Sequence, residues 1–409
     1  MKINKYFPFA FLYFFVNAWA LPFGLTYTSL LAPFFYVWVL LKRKRETVLP
    51  FIAILSPFII IHLLYIETVR VVYFTSLLNL ILVYIFCQAV YTFLLVCNDL
   101  EKIFKKLIII NFFLCLGAMV LYFTPWWPTV WIEQNLTEGV QDFRRLKLFT
   151  YEASYYATLL VPIFCFYLLQ YLFHQNTMRA LFLLPMLFLP YMLSFSFGVI
   201  AVILLSWLVV YILYFRSFSK KRRIFNGLIL TGCLAGITAL IVFFLFRDSF
   251  FVVRMLNIIS GNDSSGKGRT SDAFILAGKL LQKRDEFWGV GLGQIKIVGE
   301  VIIRKYYMYG GNFVATIPNA CAETLAIFGW VGLSLRLLIE VFFFFRTRVW
   351  TNYYRLWLFL FIFIYQFTGS FITNAVEYVI WLFAFINVFS QFDVKKDRVA
   401  TPLPQLRVV

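Results

Sequence analysis

Apolar runs of bilayer-crossing length recur along this chain, and no other sequence feature narrows its fold as much. Hydrophobic residues make up 62% and charged residues only 14%. A typical globular domain carries about 25% charged residues. Too little polar sequence remains to cover a water-soluble core of this size. Each crossing helix needs roughly 20 residues at about 1.5 Å each. On that basis the spans fall at about 6–24, 27–41, 48–66, 71–97, 106–123, 153–173, 179–194, 196–215, 224–246, 318–345, 354–371 and 374–390. The expected fold is an all-α polytopic membrane protein with about twelve transmembrane helices, residues 1–409 forming one integral membrane domain. The N-terminal run leads straight into further spans, without a small-residue cleavage site, and is expected to stay attached.

The net charge of +18 would suggest nucleic acid in a soluble domain. Here it reads as short basic loops on the cytoplasmic side. The clusters are Lys42–Arg45, Lys102 with Lys105 and Lys106, Arg179, Arg216 with Lys220–Arg223, Arg346 with Arg348 and Arg355, and Lys395 with Lys396 and Arg398. With twelve spans and a cytoplasmic N-terminus they all fall inside, and both termini are expected in the cytoplasm. The six cysteines lie in or beside apolar runs and read as small buried hydrophobes. With two histidines, a multi-histidine metal centre is not expected, and neither a metal nor a cofactor is called for.

Two polar stretches are then expected outside, 124–152 and 248–316. The second exceeds what a simple connection needs. It holds nine Lys/Arg against six Asp/Glu, so its charge needs another explanation than topology. Arg254, Lys267, Arg269 and Arg304 lie in it, with the turn Gly289-Val290-Gly291-Leu292-Gly293. Two amphipathic helices are expected, from Thr270 onward and over 295–307, both able to lie on a membrane. Arg269 sits at the start of the first, a poor place for a cation unless an anion joins it. Gly-x-Gly-x-Gly lacks the βαβ setting of a dinucleotide fingerprint.

The first outer stretch presents Arg144, Arg145 and Lys147, then Tyr151, Glu152, Tyr155 and Tyr156. Guanidinium forks suit phosphate and tyrosines suit sugar, so an anion-and-sugar site stands beside ordinary interfacial anchoring as a reading. Asn319 and Glu323 are four apart at the start of the span at 318–345, followed by Gly329 and Gly332. A carboxylate there needs a partner, and the glycines permit close helix approach. Glu67, Arg70 and Glu377 read more simply as interfacial charges, and His62 as a buried polar contact.

Three motifs carry a family resemblance. They are Tyr151-Glu152-Ala153-Ser154-Tyr155-Tyr156-Ala157; Gly268-Arg269-Thr270 with Phe287-Trp288-Gly289-Val290-Gly291-Leu292-Gly293; and Asn319-x-x-x-Glu323 with Gly329-Trp330-Val331-Gly332. In order and layout they resemble the bacterial O-antigen polymerase and O-antigen ligase superfamily. The resemblance implies an inner-membrane protein whose long, partly helical loop is periplasmic. It implies transfer of a glycan from undecaprenyl pyrophosphate, to another lipid-linked repeat unit in a polymerase or to lipid A-core in a ligase. Family ligases carry a histidine in the long loop; residues 248–316 contain none, which favours a polymerase. The implied partners are lipid-linked oligosaccharides as donor and acceptor, a chain-length regulator, a flippase and the bilayer, with no nucleic acid.

On this reading Glu152, Arg269 and Glu323 are the catalytic candidates. Arg144, Arg145, Lys147, Tyr151, Tyr155, Arg254, Lys267, Arg304 and Asn319 are the candidates for binding substrate or pyrophosphate. Arg269 would stabilise the leaving pyrophosphate, and Glu152, ahead of Glu323, would take the acceptor proton, helped by a raised pKa. A ligase or related transferase, a glycolipid flippase and a non-catalytic scaffold remain alternatives. A transporter would show internal repeats and short loops, which are not apparent here.

Overall fold

The computed structural model describes residues 27–43, 48–97, 99–134, 143–173, 177–215, 218, 256–257, 260, 264–308 and 313–394. The spans expected at 6–24 and 224–246 lie outside the described residues. In chain order the helices are α1 (Tyr27–Arg43), α2 (Leu49–Leu64), α3 (Arg70–Val96), α4 (Leu100–Leu121), α5 (Ala153–Phe173), α6 (Thr177–Ser194) and α7 (Phe197–Leu213). They continue with α8 (Ser264–Arg269), α9 (Ser271–Leu281), α10 (Ile295–Tyr307), α11 (Ala320–Arg346), α12 (Tyr353–Tyr365) and α13 (Ala375–Phe385). An antiparallel hairpin, β1 (Trp131–Gln134) with β2 (Phe143–Leu146), stands between α4 and α5 and pairs Trp131 with Leu146.

The expectation of an all-α fold with twelve transmembrane helices is therefore corrected. A small sheet is present, and among the described residues four helices are long and apolar enough to cross a membrane: α3, α4, α5 and α11. Leu49–Leu64, Phe182–Ser194, Phe197–Leu213, Tyr353–Tyr365 and Ala375–Phe385 are apolar but shorter. The physical reason is that hydropathy reports where side chains avoid water, not where the backbone stays helical. Phe195 takes a left-handed conformation (φ 45°) between α6 and α7, and Ser370 (φ 71°) lies between α12 and α13. α13 has 11 residues. Such a helix rises about 16 Å, against about 30 Å of hydrocarbon.

Three of the four long helices carry exposed apolar side chains on their outer faces, including Val71, Phe74 and Leu78 on α3, Phe113 and Val120 on α4, and Phe342 and Phe345 on α11, whereas α5 is enclosed by its neighbours. Exposed apolar surface on helices of this length is what a membrane-associated protein presents to lipid.

Two apolar clusters form inside. The larger gathers the later part of α3 with α4, the hairpin, α5, α6, α7, α12 and α13. Trp357 of α12 is fully buried there and donates its indole N–H to Ser206 Oγ (3.1 Å). The second gathers α2, the beginning of α3, α9, α10 and α11. The two amphipathic helices expected from sequence are α9 and α10, but their apolar faces are buried against protein. Ala273, Leu276, Ala277 and Leu280 of α9 and Ile295 and Ile303 of α10 belong to this second core.

α11 is broken at Gly329 (φ 66°, ψ −167°). The break frees backbone groups that an apolar surrounding cannot satisfy. The glycine turn satisfies them: Val290 N–H donates to Ala326 O (2.9 Å) and Gly291 N–H to Ile327 O (3.0 Å). In return Trp330 N–H donates to Glu286 O and Val331 N–H to Phe287 O, both at 3.1 Å. Gly289 and Gly329 each have positive φ, and a Cβ on either would strike the other strand's backbone. The close approach that Gly329 permits is thus to a loop rather than to another helix. His62, fully buried, donates from Nε2 to Trp288 O (2.8 Å) and pins that loop.

Candidate functional site

A small, partly open cleft lies at the seam between the two clusters. Tyr151, Glu152, Ser154 and Tyr155 line it from the start of α5, Arg269 and Pro318 from the long polar stretch, and Tyr365, Ser370, Phe371 and Asn374 from the α12–α13 connection. The helix starts at Ala153 and Ala375 adjoin this cleft, and that of α11 follows one residue after Pro318's neighbour Asn319. Asn374 and Asn319 cap two of these helices by accepting from Val376 N–H (3.0 Å) and Ala322 N–H (2.9 Å).

Arg269 Nη2 donates to Glu152 Oε1 at 2.8 Å, joining two residues 117 positions apart. Arg269 closes α8 rather than opening α9, so the expected conflict with a helix start does not arise, and its counter-charge is Glu152. Burial pushes the Glu152 carboxyl upward. The Arg269 charge and hydrogen bonds from Ser154 and Arg269 outweigh it and hold the group below the ordinary carboxylate range. The raised value expected of a general base is absent while this pair is closed. Burial works against the Arg269 charge, and Glu152 more than restores it. The Tyr151 and Tyr155 rings lie 4.8 Å apart at 55° beside the ion pair, Tyr155 buried and Tyr151 partly exposed. Burial and the neighbouring Glu152 charge raise the Tyr151 phenol, which stays neutral.

Asn319 is fully buried and its side chain is wholly engaged. Its amide donates to Arg269 O (2.7 Å) and Phe367 O (2.6 Å), so it positions Arg269 from behind. Glu323 does not line the cleft; its Oε2 accepts from Ile372 N–H (2.7 Å) and ties α11 to the α12–α13 connection.

The remaining candidates separate from this group. Arg145 is buried, donating to Ser194 O (2.9 Å) and Ser196 Oγ (3.3 Å), and locks the hairpin to the α6–α7 junction. Arg144 pairs with Glu133 across the hairpin (3.5 Å) and stacks over Trp127. Lys147 is half-buried, which lowers its pKa. Lys267 is exposed on α8. Arg304 pairs with Glu300 one turn back on α10 (2.9 Å) and faces Phe313. Arg254 lies outside the described residues. Gly289–Gly293 does not line the cleft but braces α11 at its break.

Several residues that matter here were not singled out from sequence. Arg336, inside α11, donates to Glu340 Oε1 (3.2 Å), Gln366 Oε1 (2.9 Å) and Thr324 Oγ1 (3.0 Å), and pairs with Glu377. An arginine four residues before a glutamate in an apolar helix was the available signal. Arg355, read as a loop cation, is instead buried and donates to Ala384 O and Phe385 O at the end of α13, both at 2.9 Å. Gln294 is fully buried and clasps Val69 through both its amide atoms, at 3.1 and 3.2 Å.

Among the described residues no group of three or more His, Cys, Asp and Glu side chains gathers as metal ligands would. No family model matches the chain, and no curated protein matches it.

Proposed function

We propose that this chain is a membrane glycosyltransferase that polymerises oligosaccharide repeat units carried on undecaprenyl pyrophosphate. One observation carries the reading: the Arg269–Glu152 pair in a cleft beside Tyr151 and Tyr155, with Asn319 bonded to the Arg269 carbonyl. Arg269 links the three segments that bear the family resemblance, bonding to Glu152 through its side chain and to Asn319 through its carbonyl.

In this reaction the acceptor hydroxyl attacks the donor's anomeric carbon as the bond to pyrophosphate oxygen breaks. The electron pair leaves with the lipid pyrophosphate, the hydroxyl proton passes to Glu152, and the anomeric configuration inverts. Arg269 stabilises the leaving charge. Pyrophosphate competing for Arg269 loosens its hold on Glu152, and burial then raises that carboxyl toward a useful base. Tyr151, backed by the buried Tyr155, offers its exposed side to a sugar ring.

The reading assigns the protein to a bacterial inner membrane as a multi-pass chain, with the cleft on the periplasmic side and both termini cytoplasmic. Arg346 and Arg348 lie at the end of α11 away from the cleft, in keeping with the positive-inside bias. A chain-length regulator and a flippase are the partners such a step requires.

Deleting the gene and analysing surface glycan tests this. Single repeat units left on lipid are the expected result. Full-length polymer retained on undecaprenyl pyrophosphate would instead indicate a ligase, and repeat units trapped on the cytoplasmic face a flippase. Arg269→Ala at wild-type protein level should abolish polymer, a loss on the order of 10²-fold or more. Normal polymer in that variant rules out the assignment of Arg269.

A further inference from the structure

The Arg336 cluster has an unusual charge count. One guanidinium faces two carboxylates, and Glu340 and Glu377 are 6% and 0% exposed. An arginine normally gives its Nε and adjacent Nη donors to a single carboxylate as a fork. Here the edge is divided: Nε is shared between Gln366 Oε1 (2.9 Å) and Glu340 Oε1 (3.2 Å), and Nη2 goes to Glu377 Oε1. The two carboxylates are held side by side on one edge of one cation. Gln366 completes Glu340, donating to its Oε2 at 2.7 Å. Glu377 Oε2 is buried with no hydrogen-bond partner.

Two adjacent carboxylates with one compensating charge, out of water, cannot both stay ionised cheaply. No second cation approaches the pair among the described groups with electrostatic reach. On α11 these are Glu323 and Cys321, with Lys296 acting on Glu323 from α10. Tyr365 stands on α12 and Tyr378 on α13, with Cys87 reaching Tyr378 from α3.

We propose that Arg336, Glu340 and Glu377 form a buried proton-binding site in which the two carboxylates share one proton and one guanidinium. The unpartnered Glu377 Oε2 offers the lone pair for that proton. The site lies directly beneath the cleft: Gln366 follows Tyr365 in sequence, and Glu377 stands one turn after Asn374. Gaining or losing the proton changes the charge under the cleft by one unit. The proposal stands whether or not the cleft transfers glycans.

The test is infrared spectroscopy of the purified full-length protein in detergent near neutral pH. A protonated carboxyl gives a C=O stretch that shifts in heavy water. The wild type should show this band. Glu340→Gln and Glu377→Gln should each lose it, because the one remaining carboxylate pairs ionised with Arg336. These two variants are made in a Glu323→Gln background, which removes the nearest other buried carboxyl, and Glu323→Gln alone should keep the band. Arg336→Gln, if it folds, should roughly double its intensity as both carboxyls take protons. Absence of the band in the wild type, including through a metal cation taking the proton's place, overturns the proposal. So does a band that survives both Glu340→Gln and Glu377→Gln or disappears only with Glu323→Gln.

Discussion

The two halves of this molecule hold together by different means. Around α12 the contacts are side chain on side chain, with Trp357, Tyr354, Phe361 and Phe166 all fully or almost fully buried. Around α11 the decisive contacts are backbone on backbone, where the glycine turn enters the break at Gly329. A side-chain core tolerates change by repacking, whereas a backbone seam leaves no space for a new atom. The cleft lies between the two apolar clusters, away from the glycine turn, and its ion pair joins Glu152 from the approach to α5 with Arg269 from α8.

This contrast can be broken by substitution. The largest effect is expected at Gly289→Ala, whose new Cβ would lie 2.5 Å from the Ile327 carbonyl carbon and 2.6 Å from Gly329 N at φ +78°. Overpacking and left-handed strain together cost about 4 kcal/mol. Monodisperse protein recovered in detergent should fall sharply, while Gly117→Ala, with nothing within 4 Å of its Cβ, should behave as wild type. Equal recovery for both would remove the distinction between the halves.

Trp357→Phe should cost about 2 kcal/mol, from a partial cavity and the lost indole hydrogen bond. A lowered thermal midpoint with intact folding is expected. If this variant fails to fold while Gly289→Ala folds, the two halves have been assigned the wrong way round.

His62→Phe should cost about 1.5 kcal/mol because the Trp288 carbonyl loses its donor. His62→Gln, which keeps a donor, should recover part of that in the same thermal measurement. No difference between the two would mean that packing alone holds the loop.

The smallest effect concerns the junction. The Arg269–Glu152 pair is partly exposed, so Glu152→Gln should cost about 1 kcal/mol at neutral pH. Because the folded Glu152 carboxyl is held below its ordinary value, its contribution is fully present above about pH 4.3 and fades as pH falls through the lower folded value. The gap in midpoint between wild type and variant should therefore close in acid. A gap that stays constant on acidification would point to packing rather than charge.

Glu152 and Arg269 were legible as candidates because each broke a local rule: a carboxylate opening an apolar helix, and a cation at an expected helix start. That they answer one another was not legible, since the pairing crosses 117 positions. Arg145 and Arg304 looked like ligands for a phosphate, yet β2 buries the first against Ser194 and α10 pairs the second with Glu300. Arg336 escaped notice because its charge sits inside an apolar run, where hydropathy averages it away, and Glu377 could not be read as its partner without knowing how α13 stands against α11. The count of membrane-crossing helices failed for a related reason: the runs were apolar for longer than they were helical.

By itself the sequence determined the helical character, the amphipathic faces of α9 and α10, and several of the charges that would need an answer. Those depend on chemistry within a few residues. Tertiary structure alone decided where apolar helices end, which carboxylate meets which guanidinium, and that Asn319 serves Arg269 from behind. Such choices depend on how helices far apart in the chain are placed against one another, and electrostatic partners are selected by distance in space.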